Sequence, residues 1–365
     1  MSISMKRERY RRFWQPPAKG EGAYIAVVSP VDDGGVPKYR LDPPDSYEER
    51  VMSVEYCLEA AEARTANSYF GLDAINNAFV GFGPGVHAAM LGAPYVFKDN
   101  TVWFDMDPPI KNWDCMPDFV TDRSHELFKA VEEHTRALCA ASRGRYAVSC
   151  TDIGGQMDVL FSLRGEELLS DLIEYPEIIS AVEERLSDEF LDYFDYLAGI
   201  IGPSGCGYTG WIPIICDEPW YPLQCDMSVM ISPKMFEKFV LPSLDKVSSA
   251  IGRSIYHLDG PGEIMHLDML LSLKHVDAIQ WVPIPNAEIP GYAGYSQDFA
   301  DKMSIDLYRR VLAAGKKLVL VWVKPRQAQA ILDAVGCDGV YMEIVCRTRK
   351  EADELVDFAR KNWIR

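Results

Sequence analysis

The sequence predicts an α/β protein, a (β/α)8 TIM barrel with an irregular N-terminal extension, and three observations carry that reading. Apolar runs of strand length alternate with amphipathic segments of helix length over residues 121–365, which is the pattern of parallel strands joined by helical crossovers. Polar or aromatic residues recur at the C-terminal ends of those runs, at Asp152, Asp226, His257 with Asp259, Trp281, Trp322 with Lys324, and Glu343 with Cys346. A closed barrel gathers such ends on one rim, where its active sites are built. No glycine fingerprint follows the first apolar run, so the main signal for an open dinucleotide-binding sheet is missing. A single domain over 1–365 follows, irregular over 1–120 and regular over 121–365.

In chain order, the basic segment 6–14 forms a leading helix that Pro16 and Pro17 stop. Residues 23–28 read as a buried strand, 32–37 as a polar loop, and 46–67 as a helix with apolar positions three and four apart. The segment 70–120 has no regular period; its glycine-rich turn 79–85 lacks the Lys-Ser/Thr of a nucleotide loop and reads as a lid or as the turn before a short helix at 86–91. Helix 124–141 then leads into strand 146–150. Helix 177–198 opens near Pro176, strand 223–230 follows, and a helix from Pro233 is capped by Ser232. Strands at 254–258, 278–282, 317–322 and 339–345 alternate with helices at 263–273, 304–314, 325–335 and 350–361.

A net charge of −17 repels phosphate at long range, which argues against nucleic acid and anionic membrane as partners. The apolar runs fall short of a membrane span, and the charged start of the chain is unlike a cleavable signal, so the expectation is a cytoplasmic protein. The 9 cysteines include no CxxC pair, which speaks against a zinc knuckle, thioredoxin chemistry or a disulfide framework.

The strongest chemical signal is His257 with Asp259. In a strand, residues two apart point to one face, so an imidazole and a carboxylate converge there as metal ligands or as an acid/base pair. Asp152 and Asp226 each end an apolar run and read as substrate-contacting or catalytic carboxylates. His87, His266 and His275 read as capping, packing or surface residues.

Three stretches, Leu160-Phe-Ser-Leu-Arg-Gly-Glu-Glu-Leu-Leu-Ser-Asp-Leu-Ile-Glu-Tyr-Pro-Glu177, Cys225-Asp-Met-Ser-Val-Met-Ile-Ser-Pro-Lys-Met-Phe-Glu-Lys-Phe-Val-Leu-Pro242 and the His257-Leu-Asp-Gly260 run, occur in an order and spacing that resembles the uroporphyrinogen decarboxylase superfamily. The resemblance implies a single (β/α)8 barrel. Within the superfamily the chain is similar to the cobamide-dependent zinc methyltransferases rather than to true uroporphyrinogen decarboxylases, because it lacks the arginine-rich N-terminal signature and its charge would repel a polycarboxylate substrate. That branch implies a zinc site with a His-x-Cys pair and a distant Cys. Carried over by position, it gives His257, Asp259 in place of the first Cys, and Cys346, with Glu343 as a further ligand. Oxygen in place of sulfur leaves the metal more Lewis-acidic.

The expected function is therefore transfer of a methyl group between a corrinoid and a small-molecule acceptor or donor. The cobamide would come from a carrier protein or free in solution, since the chain shows no cobamide-binding module of its own. The alternatives are a metal-free decarboxylase or lyase working through Asp152, Asp226 and His257, and a non-catalytic ligand-binding barrel.

Overall fold

The computed structural model describes residues 3–32, 37–98, 101–104, 107–283 and 299–365. The strands are β1 (Tyr24–Pro30), β2 (Ser68–Leu72), β3 (Asn77–Phe79), β4 (Val96–Lys98), β5 (Thr101–Trp103), β6 (Ala147–Ser149), β7 (Tyr221–Leu223), β8 (Ser254–Asp259), β9 (Ala278–Val282), β10 (Lys317–Val323) and β11 (Val340–Val345). The main sheet runs β2-β1-β11-β10-β9-β8-β7. All its pairs are parallel except β1 with β2, whose connection is antiparallel. A separate parallel pair, β3 with β6, is extended by a bridge from Ser149 to Thr209, and β4 with β5 forms a hairpin. The molecule is thus mixed α/β with a parallel-strand sheet.

Side-chain alternation gives that sheet two distinct faces. Ile25, Val27, Leu258, Ile279, Trp281, Leu320, Met342 and Ile344 pack with the crossover helices, which contribute residues such as Leu244, Leu270, Val311, Ile331 and Val356. The opposite face carries Tyr24, Ala26, Ile255, Ala278, Val319, Val321 and Tyr341, clustered with Ala147, Ile212, Ile214 and Trp220 from the β3/β6 side of the molecule. The leading helix, Ile3–Phe13, closes the N-terminal end of this second cluster. Phe13 meets Tyr24 edge-on at 5.4 Å, and the Trp14 indole N–H donates to the Ile215 carbonyl at 2.7 Å. Beneath β10, the Lys317 ammonium is paired with Glu21 at 2.7 Å.

Several sequence expectations change. The helix expected over 46–67 is two, Tyr47–Met52 and Val54–Asn67, because Ser53 leaves helical geometry and its hydroxyl caps the second. The strand expected at 223–230 ends at Leu223, and Asp226–Met230 is a 3-10 turn. Ser232 caps the next helix as expected, but that helix passes through a π-turn at 236–240 before running to Ile251. Pro242 has no N–H to give the preceding turn, which accounts for the wider winding. The helix expected at 263–273 begins as a 3-10 turn, Pro261–His266. Of the polar loop at 32–37, residues 33–36 lie outside the described residues.

A carboxylate and histidine candidate metal centre

The exposed end of the second face is where the chemistry collects. On β8, Ile255, His257 and Asp259 alternate onto the face opposite the helices, so the apolar cluster below gives way to polar atoms above. Gln280 stands beside His257 in register on β9, and Glu343 rises from the same face of β11. The His257 Nδ1 lies 2.8 Å from Gln280 Oε1. An amide oxygen only accepts, so Nδ1 is the donor, and Nε2 faces Asp259 Oδ1 at 4.0 Å. Trp211 meets the imidazole edge-on at 6.2 Å and limits its swing.

Asp226 completes the group. Its ligand atom and those of His257 and Asp259 all lie within 4.8 Å of one another. Asp226 sits on the 3-10 turn after β7, and that turn is held by Asp158, whose two carboxylate oxygens accept the N–H groups of Asp226 at 3.0 Å and Met227 at 2.8 Å. Asp158 comes from helix Gln156–Arg164, which can reach the turn only because residue 155 is glycine; a Cβ there would stand 2.2 Å from the Gln224 carbonyl oxygen. Gly155 has φ −77°, so it is needed for space and not for backbone freedom.

Asp226 is solvent-exposed and His257 and Asp259 are half-buried, and the carboxyls around them repel one another. Burial pushes Asp152 up to about 6, with the Gly154 N–H opposing and the Asp226 charge adding to the rise. Asp259 is also raised to about 6 by burial, held back by His257. Asp158 rises to about 8, first through burial and then through Asp226, against the two N–H groups it accepts. Glu263 is buried, and burial followed by the charges of Asp226 and Asp259 pushes its carboxyl well above the usual range. Its Oε2 accepts the Asp259 N–H at 3.2 Å, while Oε1 has no partner among the described residues. A bound cation would relieve this repulsion, and zinc-to-ligand distances near 2.0–2.2 Å put ligand atoms within about 4 Å of each other, so small rotations of the trio suffice. The donor set fits a divalent metal.

The centre opens into a cavity of about 780 Å³ whose wall includes Tyr56, Phe79, Phe82, Trp211 and Trp322 as well as Arg64 and Glu343. Trp322 is 71% exposed and adopts φ +63°, at the point where the β10/β11 register shifts. A left-handed backbone at a bulky residue is strained, and here it turns the indole to the cavity.

Of the residues singled out in the sequence, His257, Asp259 and Asp226 come together, and Asp152 lies beside them with Tyr221 and Gln224 as hydrogen-bond partners. Cys346 does not join them. It belongs with the helix-packed cluster and lines a different cavity with Val28, Ser29 and Ser68. The reason is strand parity: Glu343 and Cys346 are three apart and fall on opposite sides. Burial also pushes the Cys346 thiol up to about 12, far from the thiolate a metal needs. Cys346 thus lies apart from the group that Asp226, His257 and Asp259 form. Glu343 shares the cavity but is not one of that trio, and burial raises it to about 7.

Sequence reasoning missed Asp158, Glu263, Gln280 and Arg64. Only Gln280 left a local signal, as an amide inside the apolar run of β9. No protein-family model matches the chain, and no curated protein matches its sequence.

Proposed function

We propose that this chain is a metal-dependent methyltransferase built on a (β/α)8 barrel, moving a methyl group between a corrinoid and a small molecule held in the cavity. The single observation that carries the metal reading is the convergence of Asp226, His257 and Asp259, the last two of which line a large, partly aromatic cavity. The barrel reading is supported by the β3/β6 pair, which runs parallel and shares a cluster with the open face of the main sheet. The methyl-transfer reading rests on the resemblance of the three stretches described above.

Asp226, His257 and Asp259 would hold a divalent cation such as zinc, which when bound lowers the pKa of a coordinated group or polarises it. Gln280 fixes the imidazole tautomer, and Asp158 positions the turn that bears Asp226. Glu263, whose carboxyl burial pushes well above the usual range, accepts the Asp259 N–H and so holds the end of β8 in place. The methyl carrier would be a corrinoid protein or free cobamide meeting the cavity mouth.

The test is elemental analysis of protein purified without a metal-chelating tag. About one zinc per chain is expected, lost in Asp226→Ala and His257→Ala and retained in Cys346→Ser. Metal-loaded protein should then demethylate methylcobalamin when offered thiol or amine acceptors, read by the corrinoid spectrum. Metal retained in His257→Ala would overturn the assignment of the centre.

A metal-free decarboxylase or lyase is the second reading, favoured by the carboxyls at Asp152 and Asp259, which titrate near 6 and could exchange protons at neutral pH. Protein that is free of metal yet releases carbon dioxide from a carboxylated substrate would select it.

A further inference from the structure

The cavity encloses one carboxylate that the centre does not use. Glu343 stands on β11 with only 6% of its surface exposed, and it lines the same cavity as His257 and Asp259. In sheet order β10 and β9 separate its strand from β8, which at ordinary strand spacing sets it roughly 14 Å along the sheet from His257. The cavity therefore runs from the candidate metal centre to a second, buried acid.

Glu343 differs from comparable acids in having nothing to accept from. Asp73, Asp171 and Glu189 are buried to a similar degree, and each is paired with an arginine. The carboxylate of Glu343 has no hydrogen bond or ion pair among the described residues. Its neighbours in the sheet explain this. On one side it is in register with Ala26 of β1, which ends in a methyl group. On the other, Leu320 pairs with Met342 and Val323 with Ile344, so Val321 and Trp322 together face the single residue Glu343. That two-against-one count is a β-bulge, a device that re-aims a side chain. Here it sets the Trp322 indole on the cavity wall beside the carboxylate. Arg64 acts on Glu343 only through its field; it is exposed and lies over the Phe70 ring. An enclosed carboxylate without a donor is costly unless whatever enters the cavity brings one.

We propose that Glu343 receives the ammonium end of a small organic amine, its N–H groups taken by the carboxylate and its charge lying against Trp322, while the other end reaches towards His257 and Asp259. Charge-assisted hydrogen bonds and the face of an indole both favour a cation over a neutral donor. Trp211, Tyr56 and Phe79 supply apolar wall for the body between the two ends. An anion would meet Glu343 and Asp259 in a chain of net charge −17. The inference deepens the functional reading above by naming the substrate class, and it rests on that reading for which end reacts.

The experiment is calorimetric titration of metal-free protein at pH 8 with 3-phenylpropylamine and with the matched alcohol, 3-phenylpropanol, followed by zinc titration of the same samples. Burial raises the Glu343 carboxyl to about 7, so at this pH it is mostly ionised while the amine is still protonated. Wild type should bind the amine about tenfold or more tightly than the alcohol, a preference abolished in Glu343→Gln and partly kept in Glu343→Asp. Zinc affinity should be the same in all three. No preference in wild type, or a preference that survives Glu343→Gln, overturns the ammonium receptor and leaves the metal centre standing. Zinc affinity that falls in folded Glu343→Gln makes Glu343 a metal ligand and overturns it as well. A preference that depends on Glu343 in protein that takes up no zinc leaves the receptor standing and removes the metal reading.

Discussion

Asp152 accepts on a single oxygen, Oδ1, from the Gly154 N–H at 3.0 Å and from the Tyr221 hydroxyl and Gln224 amide at 3.3 Å each. An asparagine oxygen can accept the same three, so Asp152→Asn removes a charge while keeping the contacts. The sign of the effect follows from the raised folded pKa. Above about pH 6 the wild-type folded state carries a carboxylate that the unfolded chain solvates better, and below about pH 4 both states are protonated. The metal-free variant is therefore expected to be more stable than wild type by about 1–3 kcal/mol at pH 7.5. That gain should fade as pH falls from 6 towards 4, which paired thermal melts across this range would check. A constant gain would mean that the carboxylate is not strained by burial. At this scale the sequence told His257 and Asp259 clearly, since a two-residue alternation is local. It could not tell Asp158, which meets Asp226 across 68 positions, nor that Glu263 would accept the Asp259 N–H with its other oxygen unpartnered among the described residues.

The elements that matter most for the centre are the 3-10 turn Asp226–Met230 and the helix Gln156–Arg164 packed against it. His257 and Asp259 stand on a hydrogen-bonded strand, whereas the position of Asp226 depends on how closely that helix approaches. Gly155→Ala would press a methyl group into the Gln224 carbonyl and push Asp158 away from the N–H groups it caps. The expected result is a loss of about 1–3 kcal/mol in stability by chemical denaturation together with a 10–100-fold weaker zinc affinity by competition titration. Full affinity in a folded Gly155→Ala protein would mean that Asp158 does not hold the third ligand. The turn itself was hidden in the sequence because 223–230 has the apolar content of a strand, and a distant carboxylate decides its winding. Helices with strong caps were legible, as at Ser232, and the break at Ser53 would have been had its hydroxyl been read as a cap in mid-helix.

Across the whole molecule, the parallel sheet separates a floor from a rim. Tyr10, Phe13 and Trp14 close the floor against Tyr24, Tyr341 and Trp220, far in composition from the acidic rim. Phe13 is fully buried, so Phe13→Ala should cost about 3–5 kcal/mol in denaturant unfolding, while the zinc stoichiometry of the folded fraction stays at the wild-type value. A loss of metal at full folding would tie the leading helix to the centre directly. The alternation of strands and helices over the C-terminal two thirds was legible because both periods are regular there. In the N-terminal third the leading helix, β1 and the short helix Val86–Met90 were legible, but β2, β3, β4 and β5 were not, since they are short and find their partners only through the fold.

The two faces of β8 also bear on how such a protein can change over time. Tyr256 and Leu258 belong to the helix-packed side, while His257 and Asp259 interleave with them on the other. Substitution at 257 or 259 thus leaves the helix-facing packing untouched, so the polar character of the rim can change while the scaffold is held by its own contacts. Asp259→Cys would place a thiol two residues after the histidine without asking the core to move. On such a strand one residue exchange swaps an oxygen for a sulfur while the core stays as it is.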